Sequence, residues 1–186
     1  MANPTIAVDF TLRLEDSTLS GVITDIPGDL GGTTRFGLTA KYHPELVAAG
    51  FFDSTMNTQT ALSIAEQSYA ESYANPLLIS QISNQALANA LLSFAVNEEG
   101  TGRQGEAVKL LQEAAGAGAD GVMGPGTIAA VNGCDPVALL KGYCGLQQTH
   151  YEAIVAANPS QQKFIKGWTS RVSQVAAQPS SGTISV

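Results

Sequence analysis

The sequence predicts a mainly α-helical domain carrying one small β-hairpin, and three observations lead there. From residue 58 onward, apolar residues recur every three or four positions, the period of helices that turn one face to a core. Helix starts are marked, most clearly at Asp135-Pro136, an N-cap followed by proline at the first helical position. Residues 15–39 break the period with five glycines and a proline among Thr, Asp and β-branched pairs, the composition of loop and hairpin.

In chain order, Ile6, Phe10 and Leu14 lie four apart and predict a short amphipathic helix over 6–14. In the glycine-rich stretch, Val22-Ile23-Thr24 and Thr34-Arg35-Phe36 are the expected hairpin strands. Leu62, Ala65, Tyr69 and Tyr73 share a helical face, as do Leu87, Leu91, Phe94 and Ala95, with Glu98-Glu99-Gly100 as a solvated stop. Ala107, Leu110, Leu111 and Ala114 form a third stripe, closed by Gly116 and Gly118. Residues 120–127 read as a compact turn that opens a short helix at Pro125. A long helix follows from Pro136 to about Ala157, ending before Asn158-Pro159. The last runs from about Ser160, with Ile165, Trp168, Val172 and Val175 on its core face, and 177–186 is a tail. There is no internal repeat and no long linker, so one compact body is expected.

Composition narrows the chemistry. The 186 residues are 44% apolar and 13% charged, enough apolar content for a real core despite the few charges. A formal charge of −7 with nine basic residues argues against a nucleic-acid surface. No apolar run approaches the ~18–20 residues of a membrane span. The N-terminus has neither a basic nor an apolar signal-peptide region, so export by another route is expected. Two histidines, with no HExxH or CxxC spacing, offer no metal site. A helix from Pro136 puts Cys134 and Cys144 roughly 13–15 Å apart at ~1.5 Å per residue, so two free thiols are expected. Cys144 and His150, six apart on one helix, do not converge. A hydrolase built from this chain therefore relies on carboxylates and needs no cofactor.

Glu15 closes the first helix immediately before the glycine-rich segment, which holds Asp25 and Asp29. A helix-end acid facing further carboxylates is a candidate acid/base pair for breaking a glycosidic bond, one protonating the leaving oxygen and the other activating water or stabilising the oxocarbenium-like transition state. Gly31, Gly32 and Gly37 would let backbone amides approach a sugar. Thr34 can position water or a carboxylate, or simply favour the strand. Arg35 can contact an acidic peptide or pair with a local Asp. Tyr73 is either core or, at a cleft edge, a platform for a pyranose.

The run Asp29-Leu-Gly-Gly-Thr-Thr-Arg-Phe-Gly-Leu-Thr39 resembles the D-P-G-G-x-T-x-Y-G-I-T segment of the glycoside hydrolase family 108 muramidases, which are phage endolysins and secretion-associated lysozymes. Leu92-Ser-Phe-Ala-Val-Asn97 is similar to that family's F-D-x-A-V-N helix, and Ala107-Val-Lys-Leu-Leu-Gln112 to its A-x-x-L-L-Q. Asp120-Gly-Val-Met-Gly-Pro-Gly-Thr127 resembles the D-G-x-x-G-P-x-T turn of its peptidoglycan-binding module, and residues 158–172 its closing N-P-x-x-x-x-F-x-x-G-W-x-x-R-V. Departures are few. Glu15 is followed by Asp16-Ser17 rather than two glycines, about five extra residues separate it from Gly31, and Ser93 replaces the helix Asp. A shifted register would make Asp16 the competing acid.

The resemblance implies a lysozyme-like helical fold with a small β-hairpin by the active site: a catalytic region over 1–100, a helical peptidoglycan-binding-like module over 101–176, and the tail. It implies hydrolysis of the β-1,4 bond between N-acetylmuramic acid and N-acetylglucosamine, with Glu15 as proton donor, Asp29 or Asp25 as second carboxylate and Thr34 assisting. Gly31, Gly32, Arg35, Gly37, Tyr73 and Asn97 would line the substrate site. Asp120, Gly121, Gly124, Pro125 and Thr127 would either bind peptidoglycan or only cap the next helix. Trp168 is expected in the core. The expected setting is a monomeric lysin acting on the periplasmic wall, released through a holin or carried in a virion or secretion apparatus. A non-catalytic peptidoglycan-binding or virion protein of the same fold, and a chitinase-like glycosidase, are the alternatives.

Overall fold

A computed structural model of the chain describes residues 1–25, 32–98 and 104–178. Helix α1 (Pro4–Glu15) starts two residues earlier than its apolar stripe, because Asn3 caps it by accepting from the Thr5 N–H and Pro4 occupies the first turn. The hairpin differs from expectation in its pairing. Strand β1 (Thr34–Arg35) pairs with β2 (Leu38–Thr39), while Thr24 contributes one isolated bridge to Thr34. The reason is the two-residue turn: Phe36 and Gly37 both have positive φ, +51° and +78°, as a tight hairpin of right-twisted strands requires. Phe36 bears that conformation while buried, and its carbonyl accepts from the Tyr69 hydroxyl at 2.9 Å.

A five-residue helix, α2 (Pro44–Ala48), was not signalled by periodicity, being too short to show any. Helix α3 (Thr58–Tyr69) runs into a π-helical turn, Ala70–Ala74, and a 3-10 turn at Ile79–Gln81 leads to α4 (Gln85–Asn97). Helix α4 is the centre of the molecule. Eleven of its thirteen residues are buried, so it is covered on every side and packs against α1, α5 (Gln104–Ala114), α7 (Pro136–Ala157) and α8 (Ile165–Ala176). The Tyr143 hydroxyl donates to the Ala107 carbonyl and ties α7 to α5.

Helix α6 (Pro125–Gly133) and α7 follow the sequence-derived starts, α7 with Asp135 accepting from the Ala138 N–H. The final segment is split, with a 3-10 helix over Pro159–Phe164 before α8. The fold is mainly α and lysozyme-like, with eight α-helices and a two-stranded hairpin among the described residues. No helix among them is long and apolar enough to cross a membrane.

One register decides where the chemistry sits. The Gln85 side chain accepts from the Asn3 N–H at 2.6 Å and donates to the Asn3 carbonyl at 3.1 Å, so α1 and α4 start side by side. With 12 and 13 residues respectively, they also end side by side, which brings Glu15 and Asn97 to the same end of the bundle.

Candidate active site

Glu15 is the last residue of α1, and its side chain is 20% exposed. Two neighbours hold it there. The hairpin turn lies directly against it: a Cβ on Gly37 would come 2.6 Å from Glu15 Cγ and 2.7 Å from the Tyr69 hydroxyl, so only glycine fits. From the far end of the chain, Arg171 on α8 donates from Nη2 to Glu15 Oε1 at 2.6 Å, a charge-assisted contact between groups that are both mostly buried. Glu15 Oε2 accepts no hydrogen bond from the described residues.

The adjacent acid is committed elsewhere. Asp16 accepts from the Gly21 N–H at 2.7 Å and from Thr18 and Ser20. Partial burial pushes its carboxyl up, but these hydrogen bonds outweigh burial and hold it below the usual aspartate value. A carboxylate stabilised in this way closes the longer turn 16–21 and is a poor proton donor.

The other sequence candidates separate into groups. Asp25 is exposed, one residue past the Thr24 bridge and at the opposite end of the ribbon from the Phe36-Gly37 turn. Asp29 and Gly31 lie outside the described residues. Gly32 has φ +75° beside β1, and half-buried Thr34 donates to the Gly32 carbonyl at 3.4 Å. Arg35 is not a substrate ligand. It is 3% exposed and its guanidinium donates to the carbonyls of Gly21, Phe51, Asp53 and Met56, so it knits the glycine-rich loop to the segment after α2. Tyr73 is likewise withdrawn: the π-helical turn places it in the core, 1% exposed and tilted against Tyr69.

Asn97 does reach the site. It donates from Nδ2 to the Tyr151 hydroxyl at 2.9 Å and borders two adjoining hollows. One, of about 350 Å³, is bounded by Leu14, Lys163, Trp168 and Arg171. The other, of about 550 Å³, is bounded by Glu98, His150, Ile154, Gln161 and Trp168. Trp168 borders both hollows, so it is half-exposed on the groove rather than in the core, with its ring stacked on Tyr151 at 4.9 Å and 14°. Glu98 also departs from expectation. Instead of ending α4 in solvent it is 2% exposed, and His150 Nε2 lies 3.2 Å from its Oε2. Burial drives the Tyr151 hydroxyl well above its usual value, with Arg171 opposing, so it stays protonated and can donate.

Arg171, Trp168, Glu98 and His150 were missed as groove residues. A signal did exist for two of them, since Phe164, Trp168 and Arg171 are spaced four and three apart and share one face of the closing segment.

The 120–127 turn is held by local hydrogen bonds. Buried Gln112 donates to Asp120, Thr127 and the Val122 carbonyl and accepts from the Gly121 N–H, so it holds the turn from inside while Asp120 itself stays exposed. Gly121 has φ +78°, Gly124 caps α6, and Pro125 begins it.

Residues 14–98 match the family described as glycosyl hydrolase 108, and residues 106–173 match the predicted peptidoglycan domain. The chain carries a family 108 glycosyl hydrolase region. Its chain is also similar to the solved structure of Brucella abortus SagA, with 27% identity, a TM-score of 0.70, and coverage of 92% of this chain and 90% of that one. No curated protein matches it. In this hydrolase the matched glycosidase region begins one residue before Glu15 and ends at Glu98, while Trp168 and Arg171 belong to the peptidoglycan domain. A glycosidase region joined to a peptidoglycan domain makes peptidoglycan its substrate.

Proposed function

We propose that this hydrolase is an N-acetylmuramidase that cleaves the β-1,4 bond between N-acetylmuramic acid and N-acetylglucosamine, with Glu15 as proton donor. The observation that carries this is the setting of Glu15: a helix-end carboxyl, mostly buried, fixed between Gly37 and Arg171, with one oxygen outside the ion pair. Arg171 on Oε1 orients the group, and Oε2, outside that ion pair, is the oxygen that delivers the proton to the leaving group. Asp25 or Asp29 supplies the second carboxylate, with Thr34 assisting. The place of action is the periplasmic wall, reached as a phage or prophage lysin or within a virion or secretion apparatus, as the motif resemblance implies.

The test is loss of turbidity of chloroform-permeabilised Gram-negative cells, comparing wild type with Glu15→Gln. Lysis by wild type and roughly a hundredfold loss in the variant are expected, within the range of a missing general acid. Mass spectrometry of the products should show reducing ends on N-acetylmuramic acid. Equal lysis by the variant would remove Glu15 from the mechanism. Cleavage of chitin in place of peptidoglycan would overturn the substrate assignment.

A further inference from the structure

We propose that Asp16 is a positioning residue for Glu15, closing a ring of contacts that runs through the 16–21 turn and the hairpin turn back to the acid. This rests on the reading of Glu15 as proton donor and names what fixes that side chain on the hairpin side.

The need comes from the helix end. Glu15 is the last residue of α1, with no further helical turn to hold it, and the Asp16 backbone already leaves the helix at φ −140° and ψ 93°. A proton donor loses rate when its position drifts. Arg171 fixes the carboxyl from one side. The ring fixes it from the other.

Its first link is the Asp16 carboxylate, which accepts from the Gly21 N–H at 2.7 Å and from the Thr18 and Ser20 hydroxyls, each at 3.1 Å. These bonds hold closed a turn in which Leu19 stands at φ +51°, a conformation that a leucine keeps only when its surroundings impose it. Burial raises the Asp16 carboxyl, but the hydrogen bonds lower it by more, so it goes on accepting at neutral pH. Gly21 is the second link. At φ +62° its backbone lies against the Phe36 ring, where a Cβ would come 2.6 Å from Cζ, and its carbonyl accepts from Arg35 Nε at 3.0 Å. Three residues on, Thr24 and Thr34 bond each other through both backbone N–H groups, at 2.8 and 2.9 Å. The last link is the Phe36-Gly37 turn, which meets Glu15 Cγ. The residues by which this chain departs from the motif it resembles, Asp16-Ser17 and the added length before Gly21, are therefore the ones that close the ring.

The experiment measures kcat and KM on soluble peptidoglycan fragments for wild type, Asp16→Ala, Asp16→Asn and Glu15→Gln, each below its Tm, and follows deuterium exchange of the amides of residues 34–39. Asp16→Ala should lower kcat roughly tenfold with KM within about twofold, because the acid is misplaced while the binding surface is kept. Exchange in the ribbon should rise roughly tenfold while α7 keeps its wild-type rate. Asp16→Asn keeps the shape and one acceptor oxygen, and should lie between, with about a threefold loss of kcat. A residue that only stabilises the fold would lower Tm and leave kcat unchanged. Wild-type kcat or wild-type ribbon exchange in Asp16→Ala, beside an inactive Glu15→Gln, overturns the positioning role alone. A loss of roughly a hundredfold in Asp16→Asn also overturns it, since Asp16 would then be a catalytic carboxylate itself. If Asp16→Ala does not fold, Asp16→Asn carries both readings, and wild-type values there overturn the proposal. If wild type hydrolyses nothing, or Glu15→Gln hydrolyses as wild type does, the proton-donor reading fails and takes the positioning role with it.

Discussion

Replacing Gly37 with alanine tests the contact between the hairpin turn and the proposed acid. At φ +78° an alanine carries a left-handed backbone penalty of about 1–2 kcal/mol. Its Cβ would also lie 2.6 Å from Glu15 Cγ and 2.7 Å from the Tyr69 hydroxyl, and relieving such overlap costs typically about 1–3 kcal/mol. The sum, about 2–5 kcal/mol, lowers Tm by roughly 4–20 °C for a chain of this size. Gly50→Ala is the control, since Gly50 has φ +71° but its added Cβ meets nothing within 4 Å. It carries only the backbone penalty, so its Tm falls by about 2–8 °C. Displacing Glu15 should further cut lysis by roughly tenfold to a hundredfold in Gly37→Ala, as misplacement of a reacting group does. The assays are calorimetric Tm and turbidity loss for both variants below their melting points. Equal Tm losses in the two, with Gly37→Ala lysing as wild type, would refute the contact and its role.

Arg35→Lys should destabilise by on the order of 3 kcal/mol in urea denaturation, because a single ammonium cannot serve carbonyls from four residues that the planar guanidinium bonds together. Asp16 is held below its unfolded value, so its stabilising contribution is present above about pH 4 and is lost as pH falls through the lowered folded value. Thermal scans should therefore show the advantage of wild type over Asp16→Asn at pH 7 shrinking below about pH 4. Both cysteines are free, and burial pushes the Cys144 thiol up to about 11. Iodoacetamide at pH 8 should modify half-exposed Cys134 in the native protein and reach Cys144 only after unfolding, as read by peptide mass spectrometry.

The starts of α6 and α7 were legible because their determinants are local. Asp135 and Pro136 cap and begin α7 from within four residues, and the 22-residue span that follows ends at Ala157, where the apolar pattern and Asn158-Pro159 say it should. Glu15 was recognisable as a helix-end acid before a glycine-rich loop for the same reason. The hairpin was half-legible: Thr34-Arg35 was found, but its partner depended on Phe36 accepting a positive φ, which burial of its ring and the bond from Tyr69 sustain.

The sequence by itself determined the α class, the limits of α7 and the free thiols, because periodicity, capping and rise per residue act over a few positions. Tertiary packing alone decided which polar groups are spent on structure and which face the groove. Arg35 turned inward because carbonyls distant in sequence surround it, and buried Glu98 meets His150, 52 residues away. Arg171 met Glu15 across 156 residues. No local pattern encodes such a pairing. It follows from α1 and α4 ending side by side beneath α8, an arrangement set by the burial of α4 on all sides.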